Sequence, residues 1–240
     1  IYIAIRRPMK TPESGTEVFA ATTQQATYPN WVTGFPVDWM FYKNIDNASG
    51  DWFTGSRLIG TDRGRLNTTD AFSASSLMQW DYMNGQGEWS TAADSTAYTW
   101  NFKRATGFFD VVAYTGTGSS INTVKHNLGV KPELIILKVR STTQNWPVYH
   151  EMTASGFKRQ LLNFNAGDNN IRSYNSDYGL YSEPTDTQIQ IDDLNADLYN
   201  GLGQTYIAYL FGSVAGVSKV GSYTGTGADL NVDCGFSAGA

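Results

Sequence analysis

Residues 109–118 read FDVVAYTGTG, and the last five of these residues occur again as YTGTG at 223–227. A run of β-branched and aromatic residues that ends in glycines predicts a strand followed by a tight turn. The two copies stand 109 residues apart. That period is too long for a solenoid repeat and matches the size of a small β-sandwich. The repeated stretch therefore predicts a chain built from similar β-modules.

Two offsets extend the match beyond the glycine loops. The aligned pairs are Thr99 with Ala208, Trp100 with Tyr209 and Phe102 with Phe211 at an offset of 109, and Phe19 with Tyr114, Lys43 with Lys138, Trp52 with Trp146 and Leu66-Asn67 with Leu162-Asn163 at offsets close to 95. These matches predict four segments. They are the last strand of one module at 1–12, a β-sandwich module at 13–106, a second at 107–216 and the start of another at 217–240.

The strand signals place the chain in the all-β class, as tandem antiparallel β-sandwich modules in a fibre-like arrangement. The segments that predict strands are Tyr2–Ile5, Asp110–Tyr114, Glu133–Val139, Gln188–Asp192 and Tyr206–Phe211. Helical periodicity is scarce, and short helices are predicted at Ala71–Tyr82 and Thr153–Leu162. The Tyr2–Ile5 strand is expected to pair with the rest of its own module or with a neighbouring chain.

Composition argues against several classes of partner. Only 16% of the 240 residues are charged and the net charge is −5, so a nucleic-acid partner, which favours a basic surface, is not expected. No apolar run approaches the ~20 residues of a membrane-spanning helix, and membrane insertion is not expected. Cys234 is the single cysteine, which excludes an intrachain disulfide and a cysteine-based zinc site. Because the chain starts at Ile1, we expect a fragment or a processed product.

The glycine loops lack the features of a phosphate-binding loop. A P-loop continues into Lys-Ser or Lys-Thr at the start of a helix, and neither copy does. A dinucleotide-binding loop needs a third glycine where Ile121 stands. Turn glycines supply positive φ angles or allow close approach of the backbone. We interpret both loops as turns and expect no cofactor.

No catalytic residue is expected. His126 and His150 are the two histidines, and the sequence has no GxSxG elbow for a serine nucleophile. In the earlier module, Ser56 or Arg57 occupies the position that aligns with His150, so this histidine is not a feature of both modules. A structural or surface role is therefore predicted for both histidines, and the chain is not expected to be an enzyme.

The carboxylates leave two alternatives open. Asp192-Asp193, or Asp229 with Asp233, would suit a glycosidase pair. Asp168-Asn169-Asn170 and Asn44-Ile45-Asp46-Asn47 carry the oxygen ligands that calcium prefers. Neither loop has the spacing of an EF-hand, and Asn and Asp are ordinary turn residues. No metal site is expected, although calcium and a hydrolase pair built from distant loops remain alternatives.

The tryptophans are the side chains best suited to a ligand, because exposed indole rings stack on sugars. Trp52, Trp100 and Trp146 occupy aligned positions, and such recurrence predicts a framework role in a core or interface. Trp31, Trp80 and Trp89 are open to either role.

Three motifs of the second module carry a family resemblance: 109–118, the stretch His126–Lys138 (HNLGVKPELIILK), and 146–150 (WPVYH). Together they resemble a repeated module of tail-fibre-like structural proteins of tailed phages, common in marine and cyanobacterial phages. Residues 206–227 resemble the junction between two such modules. The similarity covers 107–240 well, and 1–106 mainly at Tyr2–Pro8 and through the internal alignment.

The resemblance implies a structural and adhesive component of a virion appendage that spaces or presents a host-recognition surface. A homotrimer, other virion proteins and a bacterial surface glycan or receptor are the partners that it implies. It indicates no particular ligand and no catalytic residue. One alternative is a polysaccharide depolymerase or glycosidase of a tailspike, which needs two carboxyl groups about 5–10 Å apart. A second alternative is a bacterial surface or filament protein.

Overall fold

The computed structural model describes residues 9–75, 78–88, 93–151, 157–163, 172–173, 179–192 and 196–236. Antiparallel strands form nearly all of the regular structure in these ranges, so the predicted all-β class is confirmed. The helical parts are one turn, α1 (Ala196–Tyr199), and two 3-10 turns at Gly15–Glu17 and Arg57–Ile59.

The first half of the chain forms one large and one small sheet. Its strands are β1 (Phe19–Gln24), β2 (Trp31–Val32), β3 (Trp39–Asn44), β4 (Phe53–Ser56), β5 (Asp62–Arg65), β6 (Ser73–Ala74), β7 (Met78–Gln79), β8 (Gly85–Glu88) and β9 (Asp94–Phe102). The large sheet has the order β1-β9-β3-β4-β5-β6, and the small sheet has the order β2-β8-β7.

The second half forms a large sheet of the same design. Its strands are β10 (Phe109–Thr115), β11 (Ile121–Lys125), β12 (Leu134–Val139), β13 (Pro147–Glu151), β14 (Phe157–Leu161), β15 (Arg172–Ser173), β16 (Gln188–Asp192) and β17 (Thr205–Phe211). The large sheet has the order β10-β17-β12-β13-β14-β15, and β11 pairs with β16 in a small sheet. Strand for strand, this order repeats that of the first half. We call β1–β9 the first repeat and β10–β17 the second repeat.

The register of the strands matches between the repeats. Lys43 lies opposite Tyr98 in the first large sheet, and Lys138 lies opposite Ile207 in the second. Ser56 and His150 take equivalent places on β4 and β13, as the alignment predicts. At these positions the sequence alignment therefore pairs residues that are equivalent in three dimensions.

The predicted alignment of Phe19 with Tyr114 is wrong. Phe19 lies opposite Phe102, whereas Phe109, not Tyr114, lies opposite Phe211. The reason is a longer connection in the second repeat, where the TGTG loop and β11 follow the first strand. One offset cannot hold across that insertion.

The two large sheets pack face to face through aromatic rings. The Trp39 ring centroid lies 4.5 Å from that of Tyr209 and 5.7 Å from that of Phe109. Phe102 lies 5.9 Å from Phe211. The outer face of each large sheet is covered by the small sheet of its own repeat. The covering contacts join Met40 to Met78 and Trp80 in the first repeat, and Ile135 and Leu137 to Ile189, Ile191 and Tyr199 in the second.

Both predicted helices are wrong where the structure describes them. The stretch Ala71–Tyr82 holds β6 and β7, because Ser73 pairs with Arg63 and Met78 pairs with Glu88. Phe157–Leu161 is strand β14, paired with β13. Strand pairing thus overrides a weak local helical pattern. The predicted strands at 110–114, 133–139, 188–192 and 206–211 are confirmed, with ends shifted by at most one residue. Tyr2–Ile5 lies outside the described residues.

A turn built on a positive-φ glycine introduces the second repeat and recurs after it. Ala105 bridges to Phe109 around Gly107 (φ 78°), and Val214 bridges to Ser218 around Gly216 (φ 73°). Within the described residues 219–236, no strand follows the second turn. The Tyr223 ring there is 72% exposed, whereas the equivalent Tyr114 packs on Tyr206 with ring centroids 4.8 Å apart.

Candidate functional site

The first TGTG loop is a turn whose backbone donors are all engaged. The Gly116 N–H donates to the Gln204 carbonyl (2.8 Å), and the Gly118 N–H donates to the Asn200 carbonyl (2.9 Å). The Thr117 N–H donates to Oδ1 of the buried Asn200 side chain (2.9 Å). All three of these N–H groups are engaged within the protein, which favours the interpretation of this copy as a turn over a phosphate-binding loop.

The close approach of a neighbouring backbone explains why the first glycine of the loop, Gly116, cannot be replaced by a residue with a side chain. A Cβ on Gly116 would lie 2.0 Å from the Gly201 carbonyl oxygen, a distance that atoms do not tolerate. Gly118 adopts φ 63°, in the left-handed region that favours glycine. Around the second copy, the backbone is open to solvent and nothing lies within 4 Å of a Cβ added to Gly225 or Gly227.

The two histidines differ in burial, and His150 is partly exposed. His126 is buried, its Nδ1 accepts a hydrogen bond from the Leu128 N–H (3.3 Å), and burial lowers its pKa while the nearby Asp110 opposes that shift. His150 lies on β13 opposite Leu134.

The carboxylates and amides flagged in the sequence are dispersed. Asp192 is buried on β16, whereas Asp229 and Asp233 lie on the exposed segment after the second repeat. Asn44 accepts a hydrogen bond from the Asp46 N–H (3.0 Å), the contact of an ordinary Asx turn. In the described ranges, no group of three or more His, Cys, Asp or Glu side chains could hold a metal ion. Asp193 and residues 168–170 lie outside those ranges.

One polar arrangement recurs in both repeats at the interface between the large sheets. Site 1 consists of Lys43, Trp52, Leu66 and Asn67, and site 2 consists of Lys138, Trp146, Leu162 and Asn163. Lys43 Nζ lies 5.9 Å from the Trp52 ring centroid, and Lys138 Nζ lies 5.6 Å from that of Trp146. In each site the lysine also donates to a backbone carbonyl just before the tryptophan, at Gly50 and Gln144.

The asparagine of each site fixes the backbone of its tryptophan. Asn67 Oδ1 accepts from the Trp52 N–H at 3.0 Å, and Asn163 Oδ1 accepts from the Trp146 N–H at 2.8 Å. The preceding leucine N–H donates to the same tryptophan's carbonyl in both sites, at 2.8 and 2.9 Å. The Asn67 amide then donates to Asp51, as the Asn163 amide does to Asn145. The two sites are copies at the level of individual hydrogen bonds.

Site 2 is closed by a loop of the first repeat, residues 65–72. Trp146 is fully buried, and its indole N–H donates to the carbonyls of Arg65 (2.9 Å) and Thr68 (3.1 Å). Lys138 Nζ donates to the Thr69 carbonyl (2.9 Å). The Phe72 ring lies 5.8 Å from the Trp146 ring. The neighbouring repeat therefore supplies three carbonyl oxygens and one aromatic ring to site 2.

Burial sets the electrostatics of site 2. Removal from water lowers the pKa of Lys138 to about 8, and the charge of Asp70 opposes that shift. Hydrogen bonds from the Thr68 hydroxyl and then from Arg65 lower the pKa of Asp70. The ammonium group is held by carbonyl oxygens and an indole face, a cation–π arrangement.

Site 1 is open. Trp52 is 37% exposed, and its ring contacts only rings of its own sheet, Trp100 at 5.5 Å and Phe41 at 6.2 Å, among the described residues. A groove of about 440 Å³ lies beside it between the two large sheets. The residues that line the groove are Trp39, Phe41, Trp52, Leu66, Asn67, Ile136 and Leu162.

The other tryptophans have framework positions where the structure describes them. Trp31 and Trp80 are buried between the first large sheet and its small sheet, and the Trp80 indole N–H donates to the Gly60 carbonyl (2.7 Å). Trp89 lies outside the described residues. Sequence comparison found the aligned lysines, tryptophans and Leu-Asn pairs. It missed the 65–72 loop, because that loop acts mainly through backbone carbonyls, which have no sequence signature.

The fold and the recurrent site define an antiparallel β-protein with two topologically equivalent repeats. A model of a family described as a domain of unknown function (DUF7483) matches residues 42–238, and the chain belongs to this family. The match includes both sites and the segment that follows the second repeat. Neither a curated protein nor a solved structure matches the chain. Among the described residues, no helix has the length and apolar character needed to cross a membrane.

Proposed function

We propose that the chain is a structural and adhesive segment of an extracellular appendage of a tailed-phage virion. In this proposal each repeat is one β-sandwich module, made of a large sheet and its small covering sheet. Modules follow one another in a fibre-like arrangement that spaces or presents a host-recognition surface. The chain carries no enzymatic activity. It assembles as a homotrimer, joins other virion proteins and meets a bacterial surface glycan or receptor.

The observation that supports the proposal most strongly is the closure of site 2 by the neighbouring repeat. The 65–72 loop buries Trp146 and engages Lys138, so one module completes the surface of the next. An ion pair between Arg140 and Asp62 (3.0 Å) joins the same two repeats. Contacts in which one repeat closes a site on its neighbour are suited to a row of modules. Weak surface contacts along such a row add through avidity.

Three experiments test the proposal on the whole chain. Light scattering coupled to gel filtration should give the mass of a trimer, and a monomer throughout the micromolar range would contradict the assembly. A glycan array should then reveal retention on host-type surface polysaccharide. Incubation with that polysaccharide should release no oligosaccharide. Release of fragments would instead establish the depolymerase alternative.

A further inference from the structure

We infer that residues 218–227 are the preformed first strand and loop of a further module, and that their partner is the last strand of that module, a strand of the β17 type. The inference deepens the proposed function and rests on it, because it assumes that modules follow one another in a row. It adds the segment through which one module engages the next, the register of the contact and the chemistry of the partner.

The turn before this segment copies the turn before β10. At the first turn, the Ala105 N–H donates to the Phe109 carbonyl (3.0 Å), and the Phe109 N–H donates to the Ala105 carbonyl (3.2 Å). At the second turn, Val214 and Ser218 exchange the same two hydrogen bonds, at 3.1 and 2.9 Å. Ser218 therefore leaves its turn as Phe109 does where β10 begins.

The loop after the segment is preformed as well. In the first TGTG copy the Thr117 hydroxyl accepts from the Ser119 N–H (3.3 Å), and in the second copy the Thr226 hydroxyl accepts from the Ala228 N–H (3.4 Å). The glycine that follows each threonine has a positive φ, 63° and 78°. Both ends of the segment thus have the geometry found at the ends of β10, and this existing order lowers the cost of pairing.

The stretch between the turn and the loop has no strand partner among the described residues. Within those residues, no group accepts from the backbone N–H groups of 221–225. The Tyr223 ring is 72% exposed, and nothing lies within 4 Å of a Cβ added to Gly221 or Gly225. The backbone of this stretch is therefore accessible to a partner strand.

The pairing inside the two repeats identifies the partner. In each repeat the first strand pairs antiparallel with the last, β1 with β9 and β10 with β17. With the offset of 109, Tyr223 lies opposite the counterpart of Tyr206, and that ring stacks on it as Tyr206 stacks on Tyr114 with centroids 4.8 Å apart. Val220 lies opposite the counterpart of Tyr209. Backbone hydrogen bonds supply the affinity of such a ladder, and the side chains supply its specificity.

An assembled module is the source that suits such a strand. β17 lies between β10 and β12, so it is hydrogen-bonded along both edges. A last strand of this type meets a first strand as part of a sheet, whereas an isolated two-stranded ribbon is only marginally stable in water. The partner is therefore a further module of the same family and not a free peptide.

The test extends the full chain with a copy of residues 132–216 placed after Ala240, which completes one period of 109 residues from Val217. Amide hydrogen exchange measured by NMR then follows Gly225, whose counterpart Gly116 donates to the Gln204 carbonyl (2.8 Å). We expect exchange at Gly225 to slow by at least about 100-fold relative to the 240-residue chain, because a paired amide exchanges only when its strand opens.

Two variants provide the controls. Tyr223→Ala should reduce the protection of Gly225 by at least about tenfold in the extended chain and should leave its fast exchange unchanged in the 240-residue chain, where the ring is exposed. Ala208→Pro, made only in the appended copy, should restore fast exchange, because proline cannot donate to a strand ladder.

Three outcomes would overturn the inference. Fast exchange at Gly225, in an extended chain whose appended strands are themselves protected, would do so and leave the proposed row of modules standing. An appended copy that stays unprotected together with Gly225 would overturn both. Protection of Gly225 that appears in the 240-residue chain as its concentration rises would show that another copy supplies the strand, and would overturn the assigned partner.

Discussion

Site 1 and site 2 have the same local framework and different surroundings. Each places a lysine over an indole ring and ties the tryptophan to an asparagine, yet Trp52 is 37% exposed and Trp146 is fully buried. The difference comes from the 65–72 loop. Its Leu66 and Asn67 belong to site 1, whereas its backbone carbonyls at Arg65, Thr68 and Thr69 and the Phe72 ring close site 2. The comparison shows that the sequence of one repeat builds the site, whereas a neighbouring repeat determines whether it is buried.

The largest expected effect separates the two tryptophans. Trp146→Ala should lower the free energy of unfolding by about 3–5 kcal/mol, because it leaves a cavity between the repeats and removes the donor to two carbonyls of the first repeat. Trp52→Ala should lower the free energy of unfolding by less than about half that amount, since the Trp52 ring is partly exposed to water. Urea denaturation of the two variants checks this difference. Equal losses would show that the two sites are equally buried in solution.

The second prediction concerns the buried lysine. Because burial lowers the pKa of Lys138 to about 8 from an ordinary 10.5, the folded state holds this proton less tightly than the unfolded chain. The charged ammonium therefore reduces stability below pH 8, and this cost disappears as the pH rises from about 8 to 10.5. Relative to Lys138→Met, the wild type should gain up to roughly 3 kcal/mol of stability over that window.

Urea denaturation of both proteins at a series of pH values measures this difference. Parallel profiles for wild type and Lys138→Met would contradict the lowered pKa. Lys43→Met serves as the matched variant at site 1.

The third prediction tests the loop that distinguishes the sites. Phe72→Ala removes the ring beside Trp146, and the Phe72 side chain also packs over Gly64. We expect a loss of about 2–3 kcal/mol of stability for this partly buried ring. Trp146 should become more accessible to a fluorescence quencher, while Trp52 should not. Unchanged quenching would mean that Phe72 does not help to close site 2.

The smallest effect is expected for the asparagines. Asn163→Ala should lower the free energy of unfolding by about 1–2 kcal/mol, because the backbone N–H of Trp146 loses its acceptor near a buried interface. Asn67→Ala should cost less, since water reaches the open site. Thermal unfolding of both variants provides the measurement. A larger loss for Asn67→Ala would reverse the assignment of open and closed sites.

The repeat was predictable from the sequence because aligned positions in the two repeats hold the same types of side chain. Lys43 and Lys138, and Trp52 and Trp146, align at nearly constant offsets and occupy equivalent positions in the two sheets. The position of Phe19 was not predictable by one offset, since an insertion after the first strand of the second repeat changes the spacing. The short helices were mispredicted because β6, β7 and β14 are short strands whose state is set by their pairing partners.

The sequence predicted the recurrent side chains of the candidate sites but neither the exposure of Trp52 nor the backbone groups that close site 2. Recurrence of the tryptophans predicted a framework role, which suits the buried Trp146. It could not predict that Trp52 is partly exposed, because exposure depends on a loop from elsewhere in the chain. The carbonyls of Arg65, Thr68 and Thr69 contribute through the backbone, and any residue type could provide them.

Hydrogen exchange of the two indole N–H groups in the dilute chain tests the central claim most directly. The indole N–H of the fully buried Trp146 donates to two carbonyls and should exchange only on global unfolding, whereas the Trp52 indole N–H should exchange rapidly. NMR of selectively labelled tryptophan resolves the two signals. The account predicts slow exchange at Trp146 and fast exchange at Trp52. Comparable protection of both protons would contradict it.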